Sequence, residues 1–176
     1  MFENEMLPIN GYICETGNFI LKKFIITAMF DKLTTLPIAS DHAGFELKEF
    51  LKIKLAEAGY SIRDFGAYSG ESVDYPDIAH SVCALIDKGQ YPCAILICGT
   101  GNGMCMTANK YPNLRAGLCW NNEIAELIRK HNDANIMCLP GRFIDKEEAV
   151  KCALSFLTVE FEGGRHEKRI RKISLH

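Results

Sequence analysis

The sequence predicts a three-layer α/β sandwich, in which a five-stranded parallel sheet is covered by helices on both faces. Three observations point to it. From Leu36 onward, short apolar runs alternate with helix-length amphipathic segments, and strands alternating with helices build parallel sheets. The run Ala94–Cys98 is continuously apolar, as a strand buried on both faces must be. It leads straight into Gly99-Thr100-Gly101-Asn102-Gly103, a glycine-rich turn that opens a helix.

Each element follows from its own letters. Leu36–Ser40 reads as the first strand, with Pro37 acceptable only near its beginning because it cannot donate to the ladder. Asp41-His42-Ala43-Gly44 turns into a helix whose Phe45, Leu47, Phe50, Leu51, Leu55 and Ala58 form an apolar face, and Gly59 ends it. Residues 61–65 alternate weakly as a second strand. Asp74-Tyr75-Pro76-Asp77 opens a helix to about Lys88, with acid in the first turn and Pro near its start. After the third strand, Ala94–Cys98, a helix runs through Met106 and Ala108. Residues 115–119 are the fourth strand, followed by a helix with Ile124, Ala125, Leu127 and Ile128 inward that reaches His131-Asn132-Asp133. Residues 135–139 are the fifth, and Asp145 caps a helix of Ala149, Val150, Ala153, Leu154 and Leu157. A last segment places Arg165 and Arg169 four apart on one helical face, and two guanidiniums together match a phosphate.

At 176 residues the chain suits one domain, expected over residues 36–176. Residues 1–35 are expected to be an N-terminal extension, either a short appended element or sequence upstream of a start at Met29. The apolar stretch 19–30 is interrupted by Lys22 and Lys23, so it is too short and too charged to span a bilayer. Glu3 and Glu5 at the start are unlike a secretory leader. A net charge of −2 argues against a broad nucleic-acid surface. Six of the eight cysteines lie within apolar runs and no pair has C-x-x-C spacing, so we expect reduced thiols in a cytoplasmic protein.

The glycine turn is where chemistry concentrates. Ligands of such sheets bind beyond the carboxyl ends of the strands, and a helix N-terminus there presents free N-H groups to an anion. The polar residues at strand ends are Asp41 and His42, then Cys98 and Thr100, then Trp120 to Asn122, then Arg142. A thiol beside a helix N-terminus has its thiolate favoured, from an unperturbed pKa of about 8.5, and could serve as base or nucleophile. Taken by themselves these features leave a structural alternative open. Buried cysteines are usually small core hydrophobes, and Gly-rich turns are common in α/β proteins. Asp41 could be an N-cap, His42 could cap the first helix, His131 could complement a helix dipole, and Arg165 and Arg169 could lie on a solvated basic face. Two familiar loops are excluded: Gly103 is followed by Met104 rather than Lys, and no Arg follows Cys98 before Arg115 to clamp a phosphate in the manner of a thiol phosphatase.

Six segments nonetheless occur in an order that resembles the type B ribose-5-phosphate isomerases, a family shared with the galactose-6-phosphate isomerase subunits. They are Ser40-Asp41-His42-Ala43-Gly44, Asp74-Tyr75-Pro76, Cys98-Gly99-Thr100-Gly101-Asn102-Gly103, Ala108-Asn109-Lys110, His131-Asn132-Asp133-Ala134-Asn135 and Glu162-Gly163-Gly164-Arg165-His166. The resemblance implies a Rossmann-like fold without a nucleotide, an aldose-ketose isomerase, and a sugar-phosphate substrate. It implies Cys98 as the base that moves a proton between C1 and C2, with Thr100 and the N-H groups of Gly99, Gly101, Asn102 and Gly103 stabilising an enediolate. His131 would assist ring opening, Asn132, Asp41 and His42 would contact the sugar phosphate, and Arg142, Arg165 and Arg169 would hold the phosphate. Some relatives use a carboxylate in the glycine loop, where this chain has Met104, so Cys98 is the one base there. No metal, other cofactor, nucleic acid or membrane is implied. The expected assembly is a homodimer, or a tetramer built from it, in which the His131 to Arg142 segment of one subunit completes the pocket around Cys98 of the other. Two other readings stay open, an isomerase of a six-carbon sugar phosphate such as allose or galactose 6-phosphate, and a non-enzymatic sugar-phosphate binder.

Overall fold

The computed structural model describes residues 34–173. The expectations for residues 1–33, including the start at Met29, and for Cys14 lie outside the described residues. Five strands, β1 (Leu36–Ser40), β2 (Ile62–Asp64), β3 (Ala94–Cys98), β4 (Ala116–Leu118) and β5 (Ile136–Pro140), alternate with helices. The helices are α1 (Phe45–Glu57), α2 (Tyr75–Asp87), α3 (Asn102–Ala108), α4 (Asn122–Asn132), α5 (Lys146–Thr158) and α6 (Arg165–Ile170). Every pairing is parallel and the strand order is β2-β1-β3-β5-β4. The predicted architecture is therefore present, and element limits differ from the sequence reading by one or two residues.

Burial explains the pattern. All five residues of β1, β3 and β5 are buried, which is why these strands read as unbroken apolar runs. The edge strands β2 and β4 have three residues each, partly exposed. Alternate side chains enter two separate cores. Ile38, Ile95 and Ile97 pack with α1, α4 and α5, whereas Ala39, Leu96 and Cys98 pack with α2 and α3. Pro37 occupies the second position of β1, as its missing N-H requires.

Strand order positions the site. The chain winds outward from β1 to β2, then returns to β3 and winds the other way, so the direction reverses between β1 and β3. A crevice opens beyond the carboxyl ends of strands at such a reversal. Asp41 and His42 follow β1 there, and Cys98 and Gly99 follow β3.

Candidate active site

The two strand ends at the crevice are joined directly. The Asp41 N-H donates to the Ile97 carbonyl at 3.1 Å, tying the turn after β1 to the last residues of β3. Asp41 is buried and its carboxylate accepts from the Gly44 N-H at 2.9 Å, so one oxygen caps the 3-10 turn. The His42 Nδ1 accepts from the Val73 N-H at 3.4 Å. That contact requires the tautomer with the proton on Nε2, so the free edge of the ring is a donor.

Cys98 is 4 % exposed and closes β3 on the α2/α3 side of the sheet. Its carbonyl accepts from the Gly141 N-H at 2.9 Å, and the Gly99 carbonyl accepts from the Arg142 N-H at 3.1 Å. Arg142 thereby lies across the glycine turn, with its Cδ and Nε within 4 Å of the place a Cβ on Gly99 would take. Gly101 has φ +75, and a side chain there would run into Leu118 and come within 3.0 Å of the Leu139 carbonyl carbon. Only glycine fits that position. The Thr100 hydroxyl accepts from the Asn102 N-H at 3.4 Å. Met104 is fully buried and unavailable for chemistry.

His131 and Asn132 lie elsewhere. Eleven-residue α4 starts after β4 at the Cys98 end and travels about 15 Å toward the opposite end of the sheet. Its C-terminus is fastened there. Arg115, just before β4, donates to the Asn132 and Asp133 carbonyls at 2.9 and 3.0 Å and pairs with the Asp133 carboxylate at 2.8 Å. Buried Arg129 holds the other Asp133 oxygen at 2.9 Å, and Asp133 takes φ +46 to turn the chain into β5. Asn135 receives the Arg115 N-H and donates to the Asn113 carbonyl, both at 2.9 Å. The Asp133-Ala134-Asn135 part of the motif is thus a fastening that presents the two residues before it.

Helix α6 brings its charges to the same end, where the Glu162 N-H donates to the Lys130 carbonyl at 3.0 Å. The His131 and His166 rings stack at 4.3 Å and 4°. One Glu162 oxygen lies 4.0 Å from His131 Nε2 and 3.8 Å from His166 Nε2. Arg165 Nε donates to His166 Nε2 at 3.3 Å. Burial, aided by His131, Arg165 and Arg169, pushes the His166 imidazole below its ordinary value. Among the described residues this is the one trio close enough to ligate a metal, a proximity that the sequence spacing did not suggest. Parallel rings send their lone pairs along parallel lines, so one ion could not lie in both ring planes, and Arg165 already occupies that of His166.

The predicted residues therefore form two groups. Asp41, His42, Cys98, Gly99, Thr100, Gly101, Asn102, Gly103 and Arg142 gather at the carboxyl ends of the strands, while His131, Asn132, Arg165 and Arg169 gather at the other end. This corrects the expectation that His131 to Arg142 acts as one segment. The five residues of β5 separate the two, about 13 Å along the strand, and Arg142 belongs with Cys98. Sequence reading placed Tyr75 within a matching segment but gave it no role; its ring lies against Gly103, close enough that a Cβ there would fall 2.6 Å from the ring. Asn109, likewise placed in a matching segment without a role, pairs its side chain with both the N-H and the carbonyl of Ala116, at 2.9 and 3.0 Å, and closes the sheet edge.

Five of the other six described thiols behave as core, whereas half-buried Cys105 donates to the Ala116 carbonyl at 3.3 Å and is held below its ordinary value by its bond with Cys138. Burial pushes Cys83 and Cys152 up to about 12 and raises Cys93, Cys119 and Cys138 as well. All seven described cysteines are free.

Comparison with known proteins agrees with this fold. The family model for ribose/galactose isomerases matches residues 36–173. A probable ribose-5-phosphate isomerase B of Mycoplasma pneumoniae is 42% identical over 137 residues, covering 77% of this chain and 90% of that one. The crystal structure of a ribose 5-phosphate isomerase from Thermotoga maritima superposes with a TM-score of 0.78 at 50% identity, over 80% of this chain and 97% of that one. The Mycoplasma genitalium ribose-5-phosphate isomerase B, solved with bound ribulose-5-phosphate, gives a TM-score of 0.75 at 41% identity, over 79% and 93%. Sequence, fold and relatives thus converge, and the chain belongs to the ribose/galactose isomerase family.

Proposed function

We propose that this chain interconverts ribose 5-phosphate and ribulose 5-phosphate as a homodimer whose two active sites are each built from both subunits. The observation that carries the reading is Cys98, a nearly sealed thiol at the reversal of strand order, beside a glycine turn crossed by Arg142. In the open-chain aldose, the Cys98 thiolate removes the proton from C2, and the electron pair moves through C1 to leave an enediolate. N-H groups of the turn and Thr100 hold the developing negative charge, which a dry site makes most effective. The Cys98 thiol returns the proton to C1 while the proton on the C2 oxygen passes to the C1 oxygen, which completes the ketose. Asp41 and His42 orient the substrate, and Arg142, Arg165 and Arg169 hold its phosphate. The sugar ring must open first, and His131 moves the proton that this requires, with Asn132 beside it.

Ring opening and proton transfer act on adjacent carbons, so their side chains must lie within hydrogen-bond reach of one sugar. In one chain, β3 alone puts about 13 Å between the two ends. A two-fold axis across the strands removes the conflict, because it sets the Cys98 end of one copy beside the His131 end of the other. Exposed Trp120, Phe143 and Tyr75 at the Cys98 end supply apolar surface for such a contact. No helix of the described residues is long and apolar enough to cross a membrane, and the free thiols support a reducing compartment, the cytoplasm.

The test is a coupled assay on the purified chain with ribose 5-phosphate, allose 6-phosphate and galactose 6-phosphate. Preferred turnover of ribose 5-phosphate is expected. Turnover of a six-carbon substrate alone would replace the pentose assignment, and binding without turnover would make the protein a sugar-phosphate binder.

A further inference from the structure

Lys48 is among the largest fully buried side chains of the described residues, and nothing in the proposed chemistry uses it. Its ammonium lies 2.6 Å from both oxygens of Asp64 and 3.1 Å from Glu49, between the rings of Phe45 and Tyr68 at 5.5 and 5.4 Å. A lysine on a helix face beside solvent normally extends outward, since burial of an ammonium is tolerated only when it is fully paired. Here the pairing closes a ring. Asp64 ends β2 and accepts the Gly66 N-H at 2.9 Å. The next residues clamp Ser40 on both sides: its N-H donates to the Gly66 carbonyl at 2.6 Å, and its carbonyl accepts from the Ala67 N-H. From Ser40 the covalent chain passes through Asp41 and His42 into α1 and back to Lys48. The ring therefore encloses the turn that carries both substrate contacts, and the same loop supplies the Val73 N-H to His42 Nδ1. On its other flank the turn is held by β3, through Asp41 N-H and the Ile97 carbonyl, independently of Lys48.

We propose that the Lys48–Asp64 pair is a positioning element that sets the placement of Asp41 and the orientation of His42 toward the sugar phosphate. It rests on the isomerase reading for what those two residues bind. Cys98 is fixed by β3 and β5 and stands outside the ring, so breaking the pair weakens substrate binding and leaves proton transfer alone.

The experiment uses the double variant Lys48→Met with Asp64→Asn, in which no buried charge is left unpaired and the amide still accepts the Gly66 N-H. KM for ribose 5-phosphate should rise about tenfold with kcat nearly held, the signature of lost uniform binding. Nitrogen chemical shifts of the His42 ring, read without substrate, should move from the Nε2-H form toward a mixture of tautomers. If the double variant does not fold, Asp64→Asn alone is read in the same two ways. A folded variant with unchanged KM and unchanged His42 shifts overturns the proposal and reduces the pair to a stabilising contact. If the unmodified chain fails to isomerise ribose 5-phosphate, the functional reading fails, and the His42 shifts still decide the ring.

Discussion

The two ends of the sheet are built by different physics. Around Cys98 itself, apart from the Lys48–Asp64 pair that braces the neighbouring Asp41 turn, the framework is backbone: strand ends, a turn at φ +75, and N-H groups from Gly141 and Arg142 bonded to the carbonyls of Cys98 and Gly99. At the His131 end it is charged side chains, with Arg115 and Arg129 sharing Asp133, and Glu162 beside the edges of two stacked imidazoles. Backbone cannot be repositioned by a change of pH or salt, whereas ion pairs can. The end assigned the proton transfer thus has the rigid construction, and the end assigned ring opening and phosphate holding has the adjustable one.

The largest effect that separates the ends is chemical. Cys98→Ala should lower turnover by roughly 10²–10⁴-fold, the usual worth of a general base, while the sugar phosphate still binds. His131→Ala should also slow isomerisation. It should nevertheless still exchange the C1 proton of ribulose 5-phosphate with solvent, because a 2-ketose phosphorylated at C5 has no furanose ring to open. Deuterium washout followed by NMR checks both, and washout lost in His131→Ala as fully as in Cys98→Ala would erase the division of labour.

A smaller difference is expected in stability. Gly101→Ala combines a positive φ with collision against Leu118 and the Leu139 backbone, and should cost about 3 kcal/mol or more. Gly163→Ala at the other end has φ +67, but its nearest neighbour is a Glu167 carboxylate oxygen at 3.4 Å, so backbone strain alone should cost about 1–2 kcal/mol. Urea midpoints of the two variants measure the contrast.

The smallest effect is in pH. His166 has its folded pKa below 6.5, so the unfolded chain takes up the proton first, and stability at that end declines as pH falls below about 6.5. Asp64 is partly buried, which raises its pKa, but its bonds with Lys48, Lys52 and the Gly66 N-H more than offset this and hold it below 3.8. Its contribution is intact above that value and is lost only as pH falls through the folded pKa. Hydrogen exchange between pH 7 and 4.5 should therefore rise in α4 and α6 before it rises in α1 and β2. Simultaneous loosening would mean that the two ends are one cooperative unit.

How much of this was legible in the sequence follows the same division. The strands, the glycine turn and Cys98 could be read because their signals are local: an apolar run, three glycines and one thiol within ten residues. Arg142 was read at the end of the fifth strand but not beside Cys98, since the adjacency of β3 and β5 is a matter of strand order, which no local pattern records. The His131 group carried only an ambiguous local signal, a cation in the last turn of a helix, and its meaning came from the family resemblance. Lys48 was not read at all, because a lysine in an amphipathic helix defaults to the surface and its partner Asp64 is sixteen residues away.

The claim that each site is completed by a second chain is tested most directly by subunit exchange. Cys98→Ala and His131→Ala, each impaired alone, are mixed and allowed to exchange subunits. In a mixed dimer one site then carries both lesions and the other neither. Activity should return to about a quarter of the unmodified level when equal amounts pair at random under two-fold symmetry. No recovery, with exchange verified by mass spectrometry, would place Cys98 and His131 in a site made by one chain and contradict the account.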